Sequence, residues 1–168
     1  MSEKTEYTII MIGSAAGSKA FSLLEEKWEE LKARYPERYL KAARARITED
    51  LQRNDFDQKT DSLTQIMECG EDGVFGALWR LGEELSTGLE VNLYDIPIDQ
   101  AVIELCDHED INPYEADSAG AYLVATATPG SILKNLEEQG ITARIIGYTT
   151  AENAKVIKGP TVRYLTRV

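Results

Sequence analysis

Histidine is almost absent from this sequence: of 168 residues, only His108 is one. A two-histidine metal site is excluded, and a lone imidazole at a helix end supports no Ser/His/Asp set. Cysteine is nearly as scarce. Cys69 and Cys106 fit no metal-ligand spacing and read as free thiols of a reducing compartment. No apolar run approaches the ~20 residues that a membrane helix needs; the longest candidate, YTIIMIG, has a strand's length. Positive charge is short as well, with 18 Lys and Arg against 29 Asp and Glu and a net charge of -11. Such a surface repels a phosphate backbone, so no nucleic-acid partner is expected. The opening MSEKTEYT is acidic and polar, unlike a secretory signal, so a cytoplasmic location without membrane contact is expected.

What is present suits a folded domain. Hydrophobic residues make up 43% and charged residues 28%, and the length favours one domain with a sizeable core. TEYTIIMIG reads as a buried strand ending at Gly13, and GSAAGS as a tight loop. Phe21, Leu24, Trp28 and Leu31 recur at helical spacing, predicting one helix from about Lys19 to Arg34. Pro36 stops it and opens a second helix with Leu40, Ala43, Ile47 and Leu51 on one face. QRNDFDQKTDS has no period, and LTQIMEC is a short strand. Val74, Ala77, Leu78, Leu81 and Leu85 predict a helix from Gly73 to about Ser86, ended by Gly88. LEVNLYDIPI reads as a strand, and Asp99 caps a helix carrying Val102, Ile103 and Cys106. INPYEADSAG is a turn and AYLVATA a strand. Thr128 and Pro129 open a helix that ends at Gly140; ITARIIGYTT is a strand, AENAK a turn and PTVRYLTRV a last strand. The alternation predicts an α/β (α+β) fold, a single layer of helices on a mixed sheet.

Two loops are candidate ligand sites. In MECGEDGVFGALWRLGEEL an acidic, glycine-rich loop runs into a helix. The N–H groups of a helix start favour an anion. Glu68, Glu71 and Asp72 would repel a phosphate unless magnesium sat between them, and acids in a first turn also stabilise a helix by ~0.3–1 kcal/mol each. Two readings stay open: a structural turn, or an altered ligand site of Glu68, Gly70, Glu71, Asp72 and Gly73. GSAAGS, with Gly13 and Gly17, can point N–H groups inward. It lacks the dinucleotide fingerprint and any P-loop lysine–serine pair. In CDHED, Cys106 falls on the apolar helix face and His108 near the helix's C-terminus, so no metal is expected. The second helix is the most basic part of the chain and reads as a solvated face, with Glu37 and Lys41 at pairing distance.

The succession GVFGALWRLGEELSTGLEVNLYDIPI, then ELCDHEDINPYEADSAGAYLVATATPGSILKNLEEQGITARIIGYTT, resembles the C-terminal domain of the aminoimidazole ribonucleotide (AIR) synthase superfamily. The likeness is nearest to the E-type hydrogenase maturation protein and related bacterial proteins. It is strongest from about Glu68 to Thr150 and extends back through YTIIMIGSAAGSKAFSLL. The resemblance implies a chain without the N-terminal domain that holds magnesium and ATP in two-domain relatives. Departures accompany it. Where the maturation branch has His-Asp-Pro or Val-Thr-Glu-Gly-Gly, Glu71 and Gly73 match but Asp72 replaces a glycine. Ser14 replaces the first glycine of the early turn while Gly17 keeps the second, and the closing YLTRV lacks the family's terminal cysteine.

The expectation is a non-catalytic binding or assembly module, free-standing and self-associating, most simply as a homodimer, with no cofactor of its own and no catalytic residues. The alternative is one half of a split ATP-dependent synthase or hydrogenase-maturation-like enzyme. Its site would take Mg-ATP once a separate ATP-binding-domain protein completed it. A small enzyme of unrelated chemistry is a third reading, for which Glu68, Asp72 and His108 are not clustered along the chain.

Overall fold

A strand with four consecutive apolar residues needs cover on both faces, because side chains alternate from one side to the other. The computed structural model, which describes residues 6–53 and 64–166, shows this at β1 (Thr8–Ile12). Ile9, Ile10, Met11 and Ile12 are all fully buried, each worth roughly 1.5–3 kcal/mol of transfer from water. Among the described residues, β1 lies inside a seven-stranded mixed sheet with β2 (Thr64–Cys69), β3 (Gly88–Asn92), β4 (Ala121–Thr126), β5 (Ala143–Thr150), β6 (Lys155–Lys158) and β7 (Val162–Tyr164). The order is β2-β4-β1-β5-β3-β6-β7. The β3–β6 pair is parallel and the others antiparallel. Between Ile9 and Ile10 the pairing with β5 passes from Gly147 to Ile145, so Ile146 is a bulge.

Ile9 and Met11 enter a core with Leu123 and Ala125, covered by Val74, Ala77, Leu78 and Leu81 of α4 (Gly73–Leu85). Ile10 and Ile12 enter another with Val124, covered by Leu136 of α6 (Pro129–Glu138) and by Ile141. The expected class, helices on a mixed sheet, is what the structure shows; the helices do not form the single layer expected, because the doubly buried β1 takes α4 on one face and α6 on the other. A third core joins α1 (Gly17–Glu26), α2 (Trp28–Lys32), α3 (Glu37–Arg53) and α5 (Gln100–His108) through Leu24, Leu31, Leu40, Ile47 and Leu105.

Several boundaries differ from the sequence reading, each for a local reason. The single helix expected over 19–34 starts earlier, at Gly17, and breaks at Lys27, whose φ of -121° leaves the helical region. There the Lys27 ammonium reaches Glu109 across the fold. The Gly73 helix is ended by Ser86 in the left-handed region; Gly88 is instead the first residue of β3. The strand expected through LEVNLYDIPI stops at Asn92, whose side chain accepts from the Tyr94 N–H and tightens Leu93–Asp95 into a 3-10 turn. Lys155, read as part of a turn, begins β6, and the last strand shortens to Val162–Tyr164. Thr128 sits at the N-cap of α6 without a side-chain cap bond. The expected polar connection lies, over residues 54–63, outside the described residues.

Asp99 caps α5 as read from the sequence, accepting from the Ala101 N–H at 2.9 Å. It also takes a bidentate pair from Arg46 of α3, at 2.9 and 3.1 Å, tying the two helices together. The Arg46 guanidinium holds the Asp99 carboxyl below its ordinary value of 3.8, helped by the Ala101 N–H and opposed by burial. We expect Asp99→Ala to cost about 1–3 kcal/mol of unfolding free energy in urea, because cap and ion pair go together. A carboxyl depressed in the folded state stabilises fully above its unfolded pKa, and this contribution is lost as pH falls through the folded value. Asp99→Asn keeps the cap, so between about pH 5 and pH 2 it should lose less stability than the wild type.

Candidate functional site

β1 and β2 both pair antiparallel with β4, and their last residues align with its first: Ile12 faces Tyr122, and Cys69 faces Ala121. The loops that follow β1 and β2 therefore leave the same edge, beside the turn that enters β4. This brings together the two stretches that the sequence singles out, Gly13–Gly17 and Glu68–Gly73. Helix α1 starts from the first and α4 from the second.

Four N–H groups at these helix starts, those of Ala16, Lys19, Gly73 and Phe75, are engaged by protein acceptors. The Ala16 N–H donates to Ser118 Oγ at 2.8 Å and the Lys19 N–H to the Asp117 carbonyl at 3.1 Å. The Phe75 N–H donates to the Tyr114 carbonyl at 3.0 Å. The Gly73 N–H turns back to the Gly70 carbonyl at 3.0 Å, and the Ser118 N–H reaches that carbonyl at 3.1 Å. The segment 112–120 thus lies across both helix starts and supplies oxygens where an anion would otherwise bind. Ser118, 1% exposed, is its centre, since its hydroxyl also donates to the Ala116 carbonyl at 3.0 Å.

The candidate residues divide accordingly. Gly73 is buried with φ of +72°, and a Cβ there would lie 2.6 Å from the Tyr114 carbonyl oxygen. Asp72 stands at the N-cap of α4 but makes no cap bond and pairs with Arg80 at 3.2 Å. Glu68 Oε1 accepts from the Gly120 N–H at 3.1 Å. Glu71 is exposed, and the space beside Gly70 is open. Gly13 donates to the Thr142 carbonyl at 3.4 Å. Cys69, at the end of β2, is buried, and burial pushes its thiol up to about 12, so it stays protonated and unreactive. Cys106 and Glu37–Lys41 stand as read: the thiol in the core, and the pair 3.3 Å apart on an exposed face.

Gly17 lines a cavity of 560 Å3 with Arg46, Tyr94, Asp99 and Arg144. Both guanidiniums carry carboxylate partners, Arg46 with Asp99 and Arg144 with Asp95 at 3.1 Å. A smaller cavity of 290 Å3 lies over the start of α4, between Asp72, Phe75, Glu115 and Arg163. The Arg163 guanidinium stacks 5.1 Å from the Phe75 ring, which in turn stacks on Tyr114. Ser118 and Tyr114 were missed in the sequence because INPYEADSAG reads only as a turn. The signal present was the small residues Ala116, Ser118, Ala119 and Gly120, gathered around a single hydroxyl.

Comparison with known proteins adds the lineage. A family model described as AIR synthase related protein, C-terminal domain, matches residues 6–159. No curated protein sequence matches the chain. Among solved structures, HypE in a HypE-HypF complex superposes with a TM-score of 0.69 at 15% identity, covering 99% of this chain and 54% of that one. HypE in complex with ATP superposes with a TM-score of 0.69 at 12% identity, covering 99% and 52%. Thiamine-monophosphate kinase from Stenotrophomonas maltophilia K279a gives 0.61 at 13% identity, covering 91% and 50%. The chain spans about half the length of these structures.

Two substitutions and one control test the contacts at the helix starts. Gly73→Ala should destabilise by more than about 2 kcal/mol, through left-handed strain and the backbone clash, while Gly70→Ala stays within about 0.5 kcal/mol. Ser118→Ala should cost about 1–3 kcal/mol, since it leaves the buried Ala16 N–H without an acceptor. Chemical denaturation of the three variants against wild type measures both.

Proposed function

The chain belongs to the AIR synthase related protein family through the C-terminal domain, and on that premise we propose that it acts as a binding or assembly module that pairs with a second copy and performs no catalysis alone. One observation carries this reading: a sheet face that the described helices leave open. Ile145 lies opposite Ile10 and Tyr148 opposite Thr8, so both share the face of Ile10 and Ile12. Register extends that face through Glu90 to Val156 and Tyr164, and through Asn92 to Lys158 and Val162. The α6 helix covers it over β1 and β4. Beyond, Ile145, Tyr148, Val162 and Tyr164 are 43%, 50%, 58% and 65% exposed.

Apolar side chains gathered on one open face mark an interaction surface. A polar group lies among them: Glu90 pairs with Lys158 and accepts from Tyr148, and the Lys158 ammonium holds its carboxyl below the ordinary range. Such a mixed face is self-complementary in kind, which suits a twofold pairing of equal surfaces. The relative HypE is found in a complex with HypF, which supports a docking role for a chain of this fold.

A second reading keeps the acidic rim as a ligand site. In it the chain is half of an ATP-dependent synthase or hydrogenase-maturation-like enzyme, and a separate ATP-binding-domain protein completes the site. The exposed Glu68 and Glu71 and the open space at Gly70 favour it, as does the relative HypE bound to ATP.

Mass in solution tests the first reading. Light scattering on the eluting protein should report a dimer at micromolar concentration, and the double variant Ile145→Asp, Tyr164→Asp should report a folded monomer. A wild-type chain that is monomeric throughout would sink the proposal. Mg-ATP should leave the melting temperature of the chain alone unchanged. A rise on adding Mg-ATP with an ATP-binding-domain partner, worth ~2.7 kcal/mol at a hundredfold excess over Kd, would transfer the case to the second reading.

A further inference from the structure

CDHED offers no metal spacing along the chain, yet the fold brings a distant carboxylate to it. Glu30 of α2 approaches His108 and Glu109 at the end of α5, and each of the three offers a ligand atom within 4.8 Å of the other two. His108 Nε2 stands 3.5 Å from Glu30 Oε1. The fourth member is Lys27, whose ammonium donates to Glu109 Oε2 at 2.7 Å. That leaves Glu109 Oε1, which is buried and has no hydrogen-bond partner among the described residues. A buried carboxylate oxygen without a donor is unfavourable, and a cation removes the deficit.

We propose that Glu30, His108 and Glu109 bind a borderline divalent cation, represented experimentally by Zn2+, which engages the unpartnered Glu109 Oε1 and by charge repulsion drives the neighbouring Lys27 ammonium off Oε2. One imidazole with two carboxylates is a nitrogen–oxygen set that suits Zn2+ and its neighbours. In a tetrahedral site with bonds of ~2.1 Å the ligand atoms stand ~3.4 Å apart, so the His108–Glu30 spacing already fits. Glu30, 59% exposed at its side chain, is free to close the rest. The carbonyl end of α5 favours positive charge here. The Glu109 N–H anchors the ligand pair by donating to the Leu105 and Cys106 carbonyls, and the Tyr35 ring meets the imidazole edge-on at 6.3 Å. Lys27 is 38% exposed and can swing to solvent when displaced. Cation and protein then form a clip across the bend between α1 and α2, fastening α2 to α5. The thiols are poor rivals: both are buried, and burial pushes Cys106 up to about 11.

The site does not depend on the pairing reading above. Zn2+ is titrated into the full chain by calorimetry while the imidazole proton resonances are followed. His108 is the only histidine, so these resonances report this site alone. We expect one Zn2+ per chain, movement of both resonances with the first equivalent, and at least about tenfold weaker binding in E30Q and E109Q. K27M should bind more tightly, because the competing ammonium is gone. Static imidazole resonances at a full equivalent of Zn2+ overturn the proposal. So does a folded E30Q with wild-type affinity; that side chain is exposed, so its loss leaves the fold intact.

Discussion

Complete burial of four successive residues in β1 is the constraint on which the rest of the structure depends. Alternation sends Ile9 and Met11 to one face and Ile10 and Ile12 to the other, and neither set can meet water without losing the transfer free energy that holds the sheet together. The chain answers with α4 on one side and α6 on the other. To reach those positions, β1 and β2 must run the same way on either side of β4. The starts of α1 and α4 consequently emerge side by side at one sheet edge.

That geometry creates a problem at once. Two helix starts at one edge place many unpaired N–H groups in a small volume. Here the segment 112–120 answers part of the demand from within the chain, through Ser118 Oγ and the carbonyls of Tyr114 and Asp117. The acidic residues around it then take structural parts, Asp72 with Arg80 and Glu68 with the Gly120 N–H. In a loop pattern that often welcomes anions, several of the N–H donors are here taken by the chain's own oxygens.

Two other regions keep unspent capacity. One is the open sheet face around Tyr148 and Tyr164, apolar at its margins and polar at Glu90 and Lys158. The other is the junction of α2 with the end of α5, where Glu109 keeps a buried oxygen without a partner among the described residues. They involve different residues, so occupation of one does not require the other.

Much of this architecture was legible in the sequence, because apolar period and turn chemistry are local. YTIIMIG announced the doubly covered strand, Asp99 announced a cap, and the 3.6-residue stripe of α4 announced its buried face. The resemblance to the AIR synthase C-terminal domain rested on that same order of elements, and the family match bears it out. Long-range placement was not legible. The break at Lys27 serves Glu109, 82 residues away, and Ser118 meets Ala16 across 102 residues. Composition and periodicity set which segments are strands and helices and which sides they bury. Which carboxylate meets which imidazole, which carbonyl meets a helix start and which sheet face the described helices leave uncovered were decided only when the packed sheet brought remote segments within hydrogen-bond distance.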